Sequence, residues 1–116
     1  DPHLKHARDQ AHHEMMAQAS MAAVRSATVV VVNPTHVAAA LRYRDGEDDA
    51  PEIVARGQGA HAQLIIETAR AAGIPIVRDV PLARALAELE EGETIPESLY
   101  EATAEVLRAI AESEER

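Results

Sequence analysis

The stretch TVVVVNPTHVAAALRY, residues 28–43, decides how this chain is read. Thr28 to Val32 is a β-branched run without polar alternation, the pattern of a strand covered on both faces. Val37 to Tyr43 reads as a second strand. Only Asn33-Pro34-Thr35-His36 separate the two, and so short a connection favours an antiparallel pair. Asn-Pro is an ordinary turn opener, so the plain reading of these four residues is a link between buried strands.

The same turn can do chemistry that its neighbours cannot. The side-chain amide nitrogen of Asn33 can attack its own backbone carbonyl carbon, closing a five-membered succinimide and expelling the nitrogen of Pro34. The common competing route is closed, because the proline nitrogen carries no hydrogen and cannot itself be the nucleophile. Cyclisation therefore cuts the chain at Asn33-Pro34. An amide is a poor nucleophile, and a turn clamped between strands supplies the orientation it needs as effective molarity. Pro34 biases Asn33 toward extended geometry, and any strain stored there would be relieved on scission. His36 can assist removal of the amide proton, or can hold the turn by a hydrogen bond. Thr35 can orient the carbonyl or cap the turn.

The rest of the chain is consistent with one small domain. Its 116 residues suffice for a single packed core and not for two. With no Phe, no Trp and two Tyr, Ala, Val, Ile and Leu must fill that core, which favours helices lying close on a sheet. The absence of Cys excludes disulfides and thiolate chemistry. A formal charge of -9 repels phosphate backbones, so nucleic acid is not an expected partner. No apolar run approaches the roughly 20 residues that span a bilayer. The chain opens on Asp1 rather than Met, which suggests a fragment of something longer or a processed product.

Residues 3–24 are rich in helix formers and predict a helix, apolar only sparsely in its first half, which we read as a connector. Residues 44–51, RDGEDDAP, are an exposed loop. Ile53 to Arg56 predicts a short third strand and Ala60 to Ala72 a helix with Leu64, Ile65, Ala69 and Ala72 on its inner side, stopped at Gly73. Ile74 to Val77 predicts a fourth strand, at a start or an edge because of Pro75. Asp79-Val80-Pro81 opens a helix through Leu89. A last helix begins near Pro96, with Leu99, Thr103, Val106, Leu107 and Ile110 in one stripe, and the tail ESEER is solvated. The expected architecture is α/β: a small central mixed sheet of about four strands surrounded by helices, with an N-terminal connector helix.

Other sites compete with the turn. Gly57 and Gly59 after the third strand, with Asp79 at the distance of a ribose-binding acid, resemble a dinucleotide fingerprint. A bare loop explains the glycines more simply. His6 with His13, or His12 with Met16, would be near neighbours on a helix, without a third ligand in reach, so no metal is expected. His61, at a helix start, is a surface or capping residue. Ser20, Ser26, Ser98 and Ser113 sit in no nucleophile elbow. Asp45, Glu47, Asp48 and Asp49 lack the spacing of a calcium loop.

Taken together, DPHLK at the start, VVVVNPTHVAAALRY, VARG, AGIPIVRDVPLARAL and IPESLYEATAEVL resemble the cytoplasmic domain of the type III secretion export-apparatus switch proteins, the FlhB/YscU family. The resemblance covers nearly the whole chain. It implies a bacterial inner-membrane protein whose transmembrane helices precede Asp1, with 1–24 as the connector helix and 25–116 as a self-cleaving domain facing the cytoplasm. It implies cleavage between Asn33 and Pro34, with Thr35 and His36 completing the site, and two pieces that remain associated. It implies no cofactor. Cleavage would permit a switch in export specificity, and the partners would be other export components, export substrates and chaperones. Arg56 stands where the family often has Lys, which keeps charge but alters hydrogen-bond geometry. Val37 stands where flagellar members often have a larger residue, and together with ATAEVLR, 102–108, this tilts the reading toward a virulence-type injectisome. A docking module whose turn never reacts is the competing class, and a small nucleotide-binding domain the third.

Overall fold

Four strands form one mixed sheet in a computed structural model that describes residues 20–34 and 36–114. Strand β1 is Val29–Asn33, β2 is Val37–Arg42, β3 is Glu52–Gln58 and β4 is Ile76–Arg78. The spatial order is β3-β2-β1-β4. The first three strands pair antiparallel, while β4 runs parallel to β1, with Val31 opposite Ala39 on one side and Val77 on the other. The β-branched run thus sits at the centre, paired on both edges, and every residue of β1 is buried.

Helices cover both faces, and the period of two along β1 sorts its side chains between them. Val30 and Val32 face a layer containing Met21 and Val24 from helical residues 20–25 (α1 as far as it is described). Ala62, Ile65, Ile66 and Ala69 from α2, Gly59–Ala71, complete that layer. Val29 and Val31 face Leu82, Ala83 and Leu86 of α3, Val80–Leu86, and Val106 of α4, Tyr100–Glu114. The register between β2 and β3 shifts between Ala40 and Leu41, which oppose Ala55 and Ile53. The bulge leaves Val54 as the extra residue and keeps Ile53 on the α3 side while Ala55 stays on the α2 side.

The expected α/β architecture and the antiparallel first pair are what the structure shows. Several boundaries differ. β1 runs one residue further than expected, because Asn33 pairs with Val37 in the ladder. β3 extends over Glu52 and out to Gln58, and β4 starts at Ile76 rather than Ile74. The backbone before β4 is taken up in closing α2: Gly73, at φ 73°, donates to Arg70 and Ile74 donates to Ala69. The inner face of α2 is 62, 65, 66 and 69, a helical stripe that leaves Leu64 and Ala72 outside. α3 ends at Leu86, its start capped by the Asp79 carboxylate, which accepts the Leu82 N–H at 3.2 Å. A single 3-10 turn, Glu97–Leu99, leads into α4. The first part of the connector helix lies outside the described residues.

Candidate functional site

Asn33 closes the central strand, and three backbone hydrogen bonds hold its surroundings. Its carbonyl oxygen accepts the His36 N–H at 3.0 Å, closing the four-residue turn. The His36 carbonyl accepts the Gly59 N–H at 3.0 Å, which ties the turn to the start of α2. The Val32 carbonyl accepts the Asp79 N–H at 3.1 Å, which ties the end of β1 to the start of α3. Buried Val29–Val32 anchor one side and the β2 ladder the other, so the turn is fixed at its base. Its tip is open: Pro34 and His36 are exposed, whereas Asn33 is 8% exposed.

The electrostatics of this arrangement suit attack at the Asn33 carbonyl. Addition to that carbon drives negative charge onto its oxygen, and the His36 N–H already points there. Among the described residues no side-chain hydrogen bond engages the Asn33 carboxamide, so nothing there holds it away from its own backbone. The structure brings Asn33, Pro34 and His36 together, and Thr35 lies outside the described residues.

Asn33 and His36 also line an open groove whose other walls include Gln58, Gly59, Arg84 and Glu88. Spacing along the chain does not foretell these neighbours. They arrive because β4 returns parallel to β1 and delivers α3 to the end of the central strand, while β3 delivers α2 beside β2. The only hint in the sequence is the capped start of α3 at Asp79, which says where that helix begins and not what it lies against.

The competing sites do not assemble. β3 and β4 lie at opposite edges of the sheet, whereas a dinucleotide crevice needs its strands adjacent and parallel. Gly57 is instead a close-approach position, where a Cβ would collide with the His61 ring, and Gly59 adopts φ 55°, which favours glycine. Asp79 is occupied as the cap of α3. Ser26 bonds the Ala23 carbonyl, and the four serines are dispersed over separate elements. In the acidic loop, Asp48 accepts from the backbone N–H and the guanidinium of Arg44 at 2.8, 3.2 and 3.1 Å. Those bonds hold its carboxyl below the usual range. Among the described residues no three His, Cys, Asp or Glu side chains gather as a metal site. The paired positions His6, His13, His12 and Met16 lie outside the described residues. No described helix is long and apolar enough to cross a membrane.

Comparison with known proteins gives this geometry a context. Residues 1–110 match the family described as "FlhB HrpN YscU SpaS Family". The chain is 45% identical over 98 residues to the flagellar biosynthetic protein FlhB of Aquifex aeolicus, covering 84% of this chain and 28% of that protein. It is 42% identical over 113 residues to the hypersensitivity response secretion protein HrcU of Ralstonia nicotianae, covering 97% of this chain and 32% of that protein. It therefore spans about a third or less of the length of these curated relatives. Among solved structures, the cytoplasmic domain of FlhB from Shewanella putrefaciens superposes with a TM-score of 0.75 at 40% identity. That match covers 79% of this chain and 71% of that one. A mutated EscU C-terminal domain gives 0.74 at 35% identity, covering 78% and 91%.

Proposed function

The chain belongs to the FlhB HrpN YscU SpaS family of secretion-apparatus proteins, and from that premise we propose that it is a self-cutting switch domain. It cuts itself once, between Asn33 and Pro34, and the cut permits a change in which proteins the apparatus exports. The domain faces the cytoplasm at the bacterial inner membrane, and its partners are other export components, export substrates and chaperones. Flagellar and secretion-system relatives match at similar identity, so the proposal rests on chemistry that serves either apparatus.

One observation carries the reading: the carbonyl that must be attacked belongs to the last residue of a buried central strand and already receives a backbone N–H. The Asn33 amide nitrogen adds to the carbonyl carbon, and charge on the oxygen is met by the His36 N–H. The tetrahedral centre collapses by breaking the bond to Pro34. One amide proton is lost and the proline nitrogen gains one, with exposed His36 near enough in sequence to relay it. The reaction is a single turnover, since the succinimide forms from the protein itself. Water then opens the ring.

The pieces stay together for reasons of packing. Val29, Val30 and Val31 are fully buried, the last two paired with both β2 and β4, and their ladders do not depend on the Asn33-Pro34 bond. What changes is the freedom of Pro34, Thr35 and His36 to reorganise on a surface that export partners read. The test is export from cells carrying the full-length protein with Asn33→Ala. Early substrates should still leave while later ones are lost. Unchanged export of both classes by an uncut protein would overturn the switch.

A further inference from the structure

Scission at Asn33-Pro34 makes two charges where the intact chain has none. Ring opening places the oxygen of water on a succinimide carbonyl carbon, breaks the ring C–N bond and leaves a carboxylic acid on residue 33, which releases its proton to solvent. The departing nitrogen of Pro34 becomes a terminal amine. With ordinary values of about 3.5 for a terminal carboxyl and about 8 for a terminal amine, both ends are charged near neutral pH.

The groove beside Asn33 contains one side chain suited to each end. Arg84 and Glu88 line it together with Asn33 and His36. Both are exposed, and among the described residues Arg84 makes no ion pair, although Glu88 follows it by four positions. Among the described residues Arg42, Arg44 and Arg56 are each paired with a carboxylate, whereas Arg25, Arg70, Arg78 and Arg108, like Arg84, are not; Arg84 alone of these lines the groove. The groove thus holds a cation that, among the described residues, has no ion-pair partner, and it shares that groove with the residue that acquires a negative charge.

Building on the self-cutting reading, we propose that Arg84 is the receptor for the carboxylate formed at residue 33, with Glu88 receiving the Pro34 ammonium. The pair holds the cut ends in the groove and marks the cut state electrostatically. A guanidinium suits this role because its planar donors match both carboxylate oxygens. The contribution depends on the cut: before scission, the neutral Asn33-Pro34 amide offers Arg84 no charge.

The test compares Arg84→Gln, Arg84→Lys and Glu88→Gln in the self-cut protein and in the uncut Asn33→Ala background, reading the unfolding rate in urea at low and high salt. Because Arg84 is itself exposed, solvent screens the pair from that side, and Arg84→Gln should unfold the cut protein about two- to fivefold faster. The uncut protein should be unaffected, Arg84→Lys should restore part of the loss, and the difference should shrink in salt. Equal acceleration of cut and uncut forms, or none in the cut form, would overturn the proposal. Intact mass on the same samples separates the two failures. A parent that never cuts removes the self-cutting reading and Arg84's role with it, whereas a cut parent indifferent to Arg84 removes that role alone.

Discussion

The backbone N–H of His36 donates to the carbonyl oxygen of Asn33 at 3.0 Å across the turn that separates the two central antiparallel strands. The donor is main chain, so any side chain at position 36 supplies it, provided the turn keeps its shape. His36 itself is exposed, and among the described residues its ring makes no hydrogen bond.

Substituting the ring should therefore slow scission without abolishing it. His36→Ala is expected to cut less than about 100-fold slower than the parent, the lower end of what general acid–base catalysis contributes. The rate is read from the appearance of fragments by mass spectrometry over time. A larger loss with the fold intact would assign the essential proton transfer to the imidazole.

Asp79 is a second point at which the turn is positioned. Its N–H ties α3 to the Val32 carbonyl, and its carboxylate caps the helix at Leu82. Asp79→Ala keeps the first bond and loses the second, at a cost of about 1 kcal/mol. In a domain of this size the thermal midpoint should fall by about 4 to 8 °C, and Asp79→Ser should recover most of it. Unchanged melting of the Ala variant would mean that the cap contributes nothing.

Much of this arrangement is legible in the sequence, for local reasons. The β-branched run announces a buried strand, the four-residue gap announces an antiparallel partner, and Asp79-Val80-Pro81 announces a capped helix start. The chemistry of Asn33 before Pro34 is equally local. What surrounds Asn33 is not. Its place in the ladder opposite Val37, the bulge at Val54, and the arrival of Gly59 and Arg84 beside it depend on strand order and register. Those are set by packing between segments distant in the chain. Leu64 shows the same limit on a smaller scale: an apolar residue was expected to face inward, but the stripe of α2 is fixed by Ala62, Ile65, Ile66 and Ala69, and Leu64 falls outside it.

The loop between β2 and β3 carries a pH-dependent contribution. Side-chain hydrogen bonds from Arg44, reinforced by its backbone N–H, lower the Asp48 carboxyl from its ordinary value. The folded protein thus binds this proton less readily than the unfolded chain. The resulting stability is present above the ordinary carboxylate value and is lost as the pH falls through the lowered folded value. Asp48→Asn should accordingly melt slightly below the parent at neutral pH, and the two melting curves should converge in acid. A gap that persists or widens in acid would show that the bond does not act through charge.

Self-cutting through the Asn33 side chain stands or falls on intact mass under denaturing conditions, for the purified parent beside Asn33→Ala. The parent should give one piece ending at Asn33 and one beginning at Pro34, while the variant remains a single chain of 116 residues. A parent that stays whole after prolonged incubation at neutral pH, or an Asn33→Ala variant that still divides at the same bond, would contradict cyclisation of Asn33 as the cutting step.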